Sequence, residues 1–228
     1  MTSEEARTNE TARIAAEIIE AFGARWTIGD DEMDQLLPAD VRRISRTYWT
    51  PVAVAVQIAR WLDDARVRTV VDIGSGAGKF CAVAALASPR LRVTGVEQRA
   101  ALVEVARAMV RELKLEARVS FEVGSIASVP AAEAYYLYNP FGENHYRPET
   151  RIDETVEHSG RRFIEDVTAA EQLLSAAPVG TYVLTYNGFG GQMPGTYLRV
   201  RQELDHPSVL EMWRKTVAED LEALFTAR

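Results

Sequence analysis

Val70-Val71-Asp72-Ile73-Gly74-Ser75-Gly76-Ala77-Gly78-Lys79-Phe80 decides how the rest of the chain is read. A β-branched run, Thr69 to Ile73, ends in three glycines at alternate positions, and an apolar helical run follows from Phe80 to Ala87. The pattern predicts a buried strand that stops at Gly74, where the backbone turns too tightly for a Cβ. The turn opens into a helix whose first N–H groups lack partners inside the helix and can face a ligand. Asp72 sits two residues before the first glycine, where a carboxylate can orient the turn or meet a cationic ligand group.

From Thr69 onward, strand and helix patterns alternate. Strands are expected over 69–73, 91–97, 119–123, 134–138 and 182–186, with helices over 79–87, 100–113 and 161–174. That alternation implies right-handed βαβ units and a mainly parallel sheet. After a loop with Gly188, Gly190 and Gly191, residues 197–202 and 209–213 read as an antiparallel hairpin. Val217, Leu221, Leu224 and Phe225 mark a last helix, with Thr216 and Glu219 as its capping box.

Upstream, Ala15, Ile18, Ile19 and Phe22 fall on one helical stripe with Ile14 at its edge, and Thr2 with Glu5 offers a capping box. A short helix over 30–37 is stopped by Pro38, and a further turn over 38–46 clusters Arg42, Arg43 and Arg46, read as a solvated face or a grip on an acidic substrate. Thr50 before Pro51 reads as a helix start, a hydroxyl cap followed by proline at the first helical position. Residues 1–47 are therefore expected to be a helical segment preceding a core domain over 48–228.

Composition narrows the function classes. The chain has 228 residues, enough to bury a sizeable core, and is 47% hydrophobic and 26% charged, as in ordinary soluble proteins. A net charge of -7 argues against a general nucleic-acid surface, which would need phosphates to be neutralised. The single cysteine, Cys81, excludes an internal disulfide and a cysteine metal cluster, and its apolar surroundings predict a buried thiol. No run approaches ~18 apolar residues, so no membrane span is expected. An acidic, polar start leads to the expectation of a cytoplasmic protein without a signal peptide.

The glycine spacing separates nucleotide readings. Dinucleotide folds use G-x-G-x-x-G, and here Lys79 stands where that pattern needs its last glycine. The Asp-x-Gly-x-Gly-x-Gly form at 72–78 resembles motif I of the class I S-adenosylmethionine-dependent methyltransferases; other Rossmann-like binding and a plain tight turn remain open on this loop alone. The resemblance covers roughly 48–213. It implies a seven-stranded, mostly parallel α/β sheet in the order 3-2-1-4-5-7-6 with helices on both faces, and S-adenosyl-L-methionine as cofactor. In that family the loop, here Gly74, Ser75, Gly76 and Gly78, cradles the amino-acid half of the cofactor.

Glu97 ends the second strand, 23 residues after Gly74, where an acid can accept both ribose hydroxyls. Gln98 beside it is a candidate for the adenosine edge. Many relatives carry an acid where Ser125 stands, to hold the adenine amino group; here the Ser125 hydroxyl or backbone would serve, with Ile126 against the purine. Tyr48 and Thr50 are candidates for covering the pocket, or else simply pack the N-terminal helices on the core.

Tyr138-Asn139-Pro140-Phe141-Gly142-Glu143-Asn144 follows the fourth strand. It resembles the [Asn/Asp]-Pro-Pro-aromatic motif of amino-group methyltransferases, with Phe141 in the second proline's place and Gly142 in the aromatic's. Loops of this Asn-Pro-Phe type also resemble bacterial methyltransferases distantly similar to the non-SET histone-lysine enzymes. The resemblance implies that Asn139 and the Pro140 carbonyl accept bonds from a nitrogen (or oxygen) nucleophile and that Phe141 shapes the pocket; a plain Pro-Gly turn is the other reading. His145 is either a general base or a loop-surface residue. Tyr186-Asn187 either lines the substrate side or makes an ordinary turn. His158 and His206 lack ligand-spaced partners, so no metal is expected. The methyl acceptor, a small molecule or a protein, and the oligomeric state do not follow from the sequence. A cofactor-binding protein without turnover is the alternative.

Overall fold

The computed structural model describes residues 3–24 and 28–217. The Thr2–Glu5 capping box and the last helix, with Glu219, lie outside the described residues. The chain divides into two compact units, Met1–Val123 and Gly124–Arg228.

The first unit contains α1 (Ser3–Gly23), α2 (Asp30–Met33) with a 3-10 turn at Asp34–Leu36, α3 (Ala39–Arg43), α4 (Ser45–Tyr48) and α5 (Val52–Asp64). Then come β1 (Thr69–Ile73), α6 (Lys79–Ala87), β2 (Arg92–Glu97), α7 (Ala100–Glu112) and β3 (Val119–Val123). The second unit holds β4 (Ala134–Leu137), α8 (Gly160–Ala176), β5 (Tyr182–Tyr186), β6 (Tyr197–Asp205) and β7 (Ser208–Lys215). The strand order is β3-β2-β1-β4-β5-β7-β6, as the resemblance implies. β1 with β2, β2 with β3 and β4 with β5 pair parallel, whereas β5 with β7 and β6 with β7 pair antiparallel.

In the first unit, β1 is buried after Thr69 and α6 is buried from Lys79 to Ala85, which explains its apolar sequence all round. α7 lays Leu102, Val103, Ala106, Met109 and Val110 inward, with Leu113 just past its end. The buried stripe of α1 runs through Ile14, Ala15 and Ile18, with Ile19 and Phe22 half-buried. Where α6 ends, the Arg118 guanidinium donates to the Ala85, Ser88 and Leu91 carbonyls, satisfying acceptors the helix leaves open.

α5 departs from expectation at its start. It begins at Val52, so Pro51 is the capping position and has no side-chain oxygen to offer, while Thr50 is buried one residue too early. The Val52 N–H donates instead to Asp30 Oδ1, 2.9 Å away. A residue 22 positions upstream supplies the cap that adjacent sequence was expected to supply.

In the second unit, Lys215 is buried and donates to the Leu174, Ser175 and Ala177 carbonyls at the end of α8. The Tyr197 hydroxyl joins it on the Leu174 carbonyl at 3.0 Å. Helical spacing groups Phe163, Ile164, Val167, Ala170 and Leu174 on one face of α8, but Ile164 is 65% exposed. The inner side there is taken by Asp166, paired with Arg162 at 2.8 Å. The β6–β7 hairpin runs beyond its expected strands, to Asp205 opposite Ser208 at the turn and to Lys215 opposite Tyr197 at the other end; within it Glu211 accepts from both Arg199 and Gln202.

Gly95 fixes how closely β2 and β3 pack. A Cβ there would stand 2.5 Å from Phe121 Cδ1 and 2.6 Å from Ser75 Oγ. Gly95→Ala is expected to destabilise the fold by about 1–3 kcal/mol through overpacking. Phe121→Leu in the same chain should recover part of that loss in thermal melts, whereas a pair of purely additive losses would contradict the packing account.

Candidate functional site

The glycine turn is tied down at both ends. The Gly74 and Ser75 N–H groups both donate to the Val96 carbonyl, at 2.9 and 3.0 Å, and the Gly78 N–H donates to Ser75 O at 2.9 Å. Gly78, with φ 78°, is the left-handed residue from which α6 starts. Gly76, with φ 52°, has the six-membered ring of Trp49 directly over its Cα, so a Cβ there would collide with the ring. Trp49 is buried and donates from Nε1 to the Val41 carbonyl at 3.2 Å. Tyr48 is half-buried and tilts against Trp49 at 5.9 Å between centroids. Sequence reasoning singled out Tyr48 and passed over its neighbour Trp49, whose ring lies against Gly76.

Glu97 is 6% exposed. Its Oε2 accepts from the Gly76 N–H at 3.0 Å and its Oε1 from the Arg99 N–H at 2.9 Å. A carboxylate offers about four lone-pair positions, so two backbone bonds fix its orientation without exhausting its capacity. Gln98 is exposed, and Arg99, which sequence reasoning passed over, is buried with its guanidinium 3.9 Å from Glu97. Asp72 is 4% exposed and accepts from the Cys81 thiol at 3.3 Å. Burial pushes the Asp72 carboxyl up from 3.8 to about 7, the thiol bond partly opposes this, and the Glu97 charge adds to it. Burial and then the Asp72 charge raise the Cys81 thiol as well, and the cysteine is an interior residue as expected.

Lys79 opens α6 with its side chain 2% exposed. Its ammonium lies 2.6 Å from Asp30 Oδ1 and 2.7 Å from Asp34 Oδ1, and donates to Ser45 Oγ at 3.2 Å. An open cavity of about 400 Å³ adjoins it, lined by Asp30, Ser45, Arg46, Trp49 and Pro51 among others. Arg46 is exposed and pairs loosely with Asp31 at 3.4 Å, while Arg42 donates to the Gln35 and Leu37 carbonyls. The signal that could have revealed the cluster was the acid run Asp30, Asp31, Glu32 and Asp34 upstream of a lysine that directly follows a glycine turn.

The second unit carries the remaining candidates. Ser125 accepts from the Ala127 N–H, a weak cap at 3.4 Å, and Ile126 is buried. Asn139 has φ 40°, a left-handed conformation that asparagine tolerates better than most residues. Its N–H donates to the Gly188 carbonyl at 2.9 Å, its carbonyl accepts from the Gly142 N–H at 3.1 Å, and its amide lies where a Cβ on Gly142 would go. Gly142 thus stands in the aromatic's place because the Asn139 side chain fills that space. Pro140 is half-buried and Phe141 is buried. Asn144 closes the loop by donating to the Phe141 carbonyl and accepting from the Ser159 N–H. Glu143 accepts from the Ile152 N–H and lies 3.4 Å from His158, whose side chain is 3% exposed, whereas His145 is exposed against Phe163. Asn187 bonds the start of β7 through the Val209 N–H, an ordinary turn role.

Among the described residues no group of histidine, cysteine or carboxylate side chains could hold a metal ion, and no helix is long and apolar enough to cross a membrane.

A family model described as a methyltransferase domain matches residues 66–139. That span runs from three residues before β1 to Asn139 and is under half of the chain. A search of the curated proteins finds no match. Among solved structures, the mitomycin 7-O-methyltransferase MmcR is similar over 72% of this chain and 54% of its own, with TM-score 0.54 and 18% identity. An RNA methyltransferase from Salinibacter ruber, in complex with S-adenosyl-L-homocysteine, is 21% identical with TM-score 0.50 over 72% of this chain and 95% of its own. The O-methyltransferase NcsB1 from neocarzinostatin biosynthesis, in complex with S-adenosyl-L-homocysteine and 1,4-dihydroxy-2-naphthoic acid, is 18% identical with TM-score 0.52 over 78% and 56%. The chain spans little more than half the length of MmcR and NcsB1, and the likeness at these identities is one of fold.

The raised Asp72 pKa makes a stability prediction. Between about pH 4 and pH 7 the folded state holds a proton on Asp72 that the unfolded chain has released, so this group's contribution is full below pH 4, falls as pH rises to 7 and is level above it. Relative to wild type, the melting temperature of Asp72→Asn should therefore rise across that window and plateau beyond it. A difference independent of pH would show that Asp72 is ionised throughout.

Proposed function

We propose that the protein is an S-adenosylmethionine-dependent methyltransferase that seats its cofactor on the turn from Gly74 to Gly78. The observation that carries this reading is the charge around the turn. Asp30, Asp34, Asp72 and Glu97 face two cations, Lys79 and Arg99, and the carboxylates outnumber them even with Asp72 protonated. A pyrophosphate would bring negative charge to this helix start, where phosphates normally find unopposed N–H groups. A sulfonium cofactor without phosphate meets complementary charge there instead.

When bound, the cofactor supplies a methyl group already activated by its sulfonium. The chain supplies binding and geometry. Glu97, held by the Gly76 and Arg99 N–H groups, is oriented to accept the two hydroxyls of a ribose. Gly74, Ser75, Gly76 and Gly78 bring backbone close to the amino-acid half, with Gln98, Ser125 and Ile126 assigned to the adenosine. Tyr48 and Thr50 are assigned to the cover of the pocket, with Trp49 beside them against Gly76.

For the acceptor, the resemblance of the loop after β4 assigns Asn139 and the Pro140 carbonyl to a nitrogen nucleophile, with oxygen as the second choice, and Phe141 to the pocket wall. These residues would fix the nucleophile's approach, so that transfer gains from orientation and not from a metal or covalent step. A small molecule or a protein side chain are the acceptor classes; a cytoplasmic location belongs to the same reading. Conversion of the cofactor to S-adenosylhomocysteine in the presence of an acceptor distinguishes this enzyme from a cofactor-binding protein without turnover.

Isothermal titration should show binding of S-adenosylmethionine or S-adenosylhomocysteine and none of NAD; tight NAD binding would overturn the reading. Glu97→Ala should weaken S-adenosylhomocysteine by about 1.5–3 kcal/mol with the fold retained, and unchanged affinity would remove Glu97 from the ribose. Asn139→Ala should lower turnover far more than cofactor affinity, as expected of an interaction formed in the transition state. Normal turnover in a folded, cofactor-binding variant would take Asn139 out of the chemistry.

A further inference from the structure

Two contacts hold the glycine turn from a segment well before it in the chain; the Lys79–Ser45 bond alone spans 34 residues. In the first, an unbroken series runs from the Val41 carbonyl to Trp49 Nε1, from the Trp49 ring to the Cα of Gly76, and from the Gly76 N–H to Glu97 Oε2. In the second, the Lys79 ammonium is fixed by Asp30, Asp34 and Ser45 at the first residue of α6.

We propose that Trp49 and Lys79 are positioning residues of the turn, through which residues 29–49 set the conformation in which Gly76 and Glu97 meet a ligand. Gly76 sits at φ 52° and, as a glycine, can leave that region at little cost unless something covers it. The Trp49 ring does so. If the ring withdraws, Gly76 is released, and the Glu97 oxygen that accepts its N–H loses one of the two backbone bonds that orient it. The Lys79 cluster acts on the other end of the turn. A cation at a helix N-terminus is opposed by the helix dipole, so Lys79 remains inside only while Asp30 and Asp34 neutralise it. Asp30 also caps α5, which begins three residues after Trp49, so the two contacts share one support.

The ligand part of this inference rests on the cofactor reading; the conformational part does not, and the two are read separately. Amide hydrogen exchange across 74–78 in the unliganded full chain decides the conformational part. Trp49→Ala and Asp34→Asn should each speed exchange there by about tenfold or more, with the β5–β7 pairing unchanged as an internal control. Trp49→Phe, which keeps a ring but loses the Nε1 bond to Val41, should fall between wild type and Trp49→Ala. Lys79→Met risks misfolding, so Asp34→Asn, which leaves Lys79 its Asp30 partner, carries the test of the cluster. In titrations with S-adenosylhomocysteine, Trp49→Ala should weaken binding on the order of tenfold and Trp49→Phe should restore part of it.

Lower melting temperatures with unchanged exchange at 74–78 would overturn the proposal, since they would make both residues ordinary packing. Faster exchange in the variants of a chain that binds no S-adenosylhomocysteine even as wild type would uphold the positioning and end the cofactor reading.

Discussion

The Lys79 ammonium is a charge buried at the one end of a helix where the backbone already carries partial positive charge. Leaving it there without counter-charge would cost several kcal/mol of desolvation. Asp30 and Asp34 offset that cost, and in doing so they bring α2 and its following 3-10 turn against the start of α6. Asp30 then receives the first N–H of α5, and Ser45 at the head of α4 completes the coordination of the lysine. Four elements of the first unit are thus organised around one side chain.

The same constraint shapes the chemistry available at the turn. A helix start that faces a free lysine would invite phosphate, but this lysine is engaged by two carboxylates. Glu97 and Asp72 then add acid from the ends of β2 and β1, and Arg99 answers only part of it. The glycines let the backbone close down on this charge, with Trp49 in place of a side chain at Gly76 and Phe121 against Gly78. Two close approaches of aromatic ring to glycine therefore define the turn as much as its hydrogen bonds do.

Much of the fold was legible because its signals are local. The β-branched run of β1, the apolar circuit of α6 and the stripe of α7 each declare their type within one segment, and β1, α6, β3 and β5 fall within the expected bounds. What escaped is non-local. The cap of α5 comes from Asp30 and not from Thr50, the ring over Gly76 belongs to Trp49, which the sequence did not single out, and Ile164 is exposed where helical spacing groups it with the buried face. Neighbouring residues on a short connection differ by a rotation that composition does not encode. Glu97 and the glycines were recognisable because their spacing follows from the strand–turn–helix geometry itself; the Lys79 cluster was not, because its acids are dispersed 45 to 49 residues upstream. The added length of the hairpin was missed for a related reason, since its extra pairs, Asp205 with Ser208 and Leu198 with Arg214, carry no apolar alternation to announce them.

The most direct test of the account is a crystal structure of the chain with S-adenosylhomocysteine. The account predicts both ribose hydroxyls on the Glu97 carboxylate, with the Gly76 and Arg99 N–H bonds to that carboxylate retained and the Lys79 cluster intact. A ligand seated away from the glycine turn, or one that leaves Glu97 without a ribose contact, would contradict it.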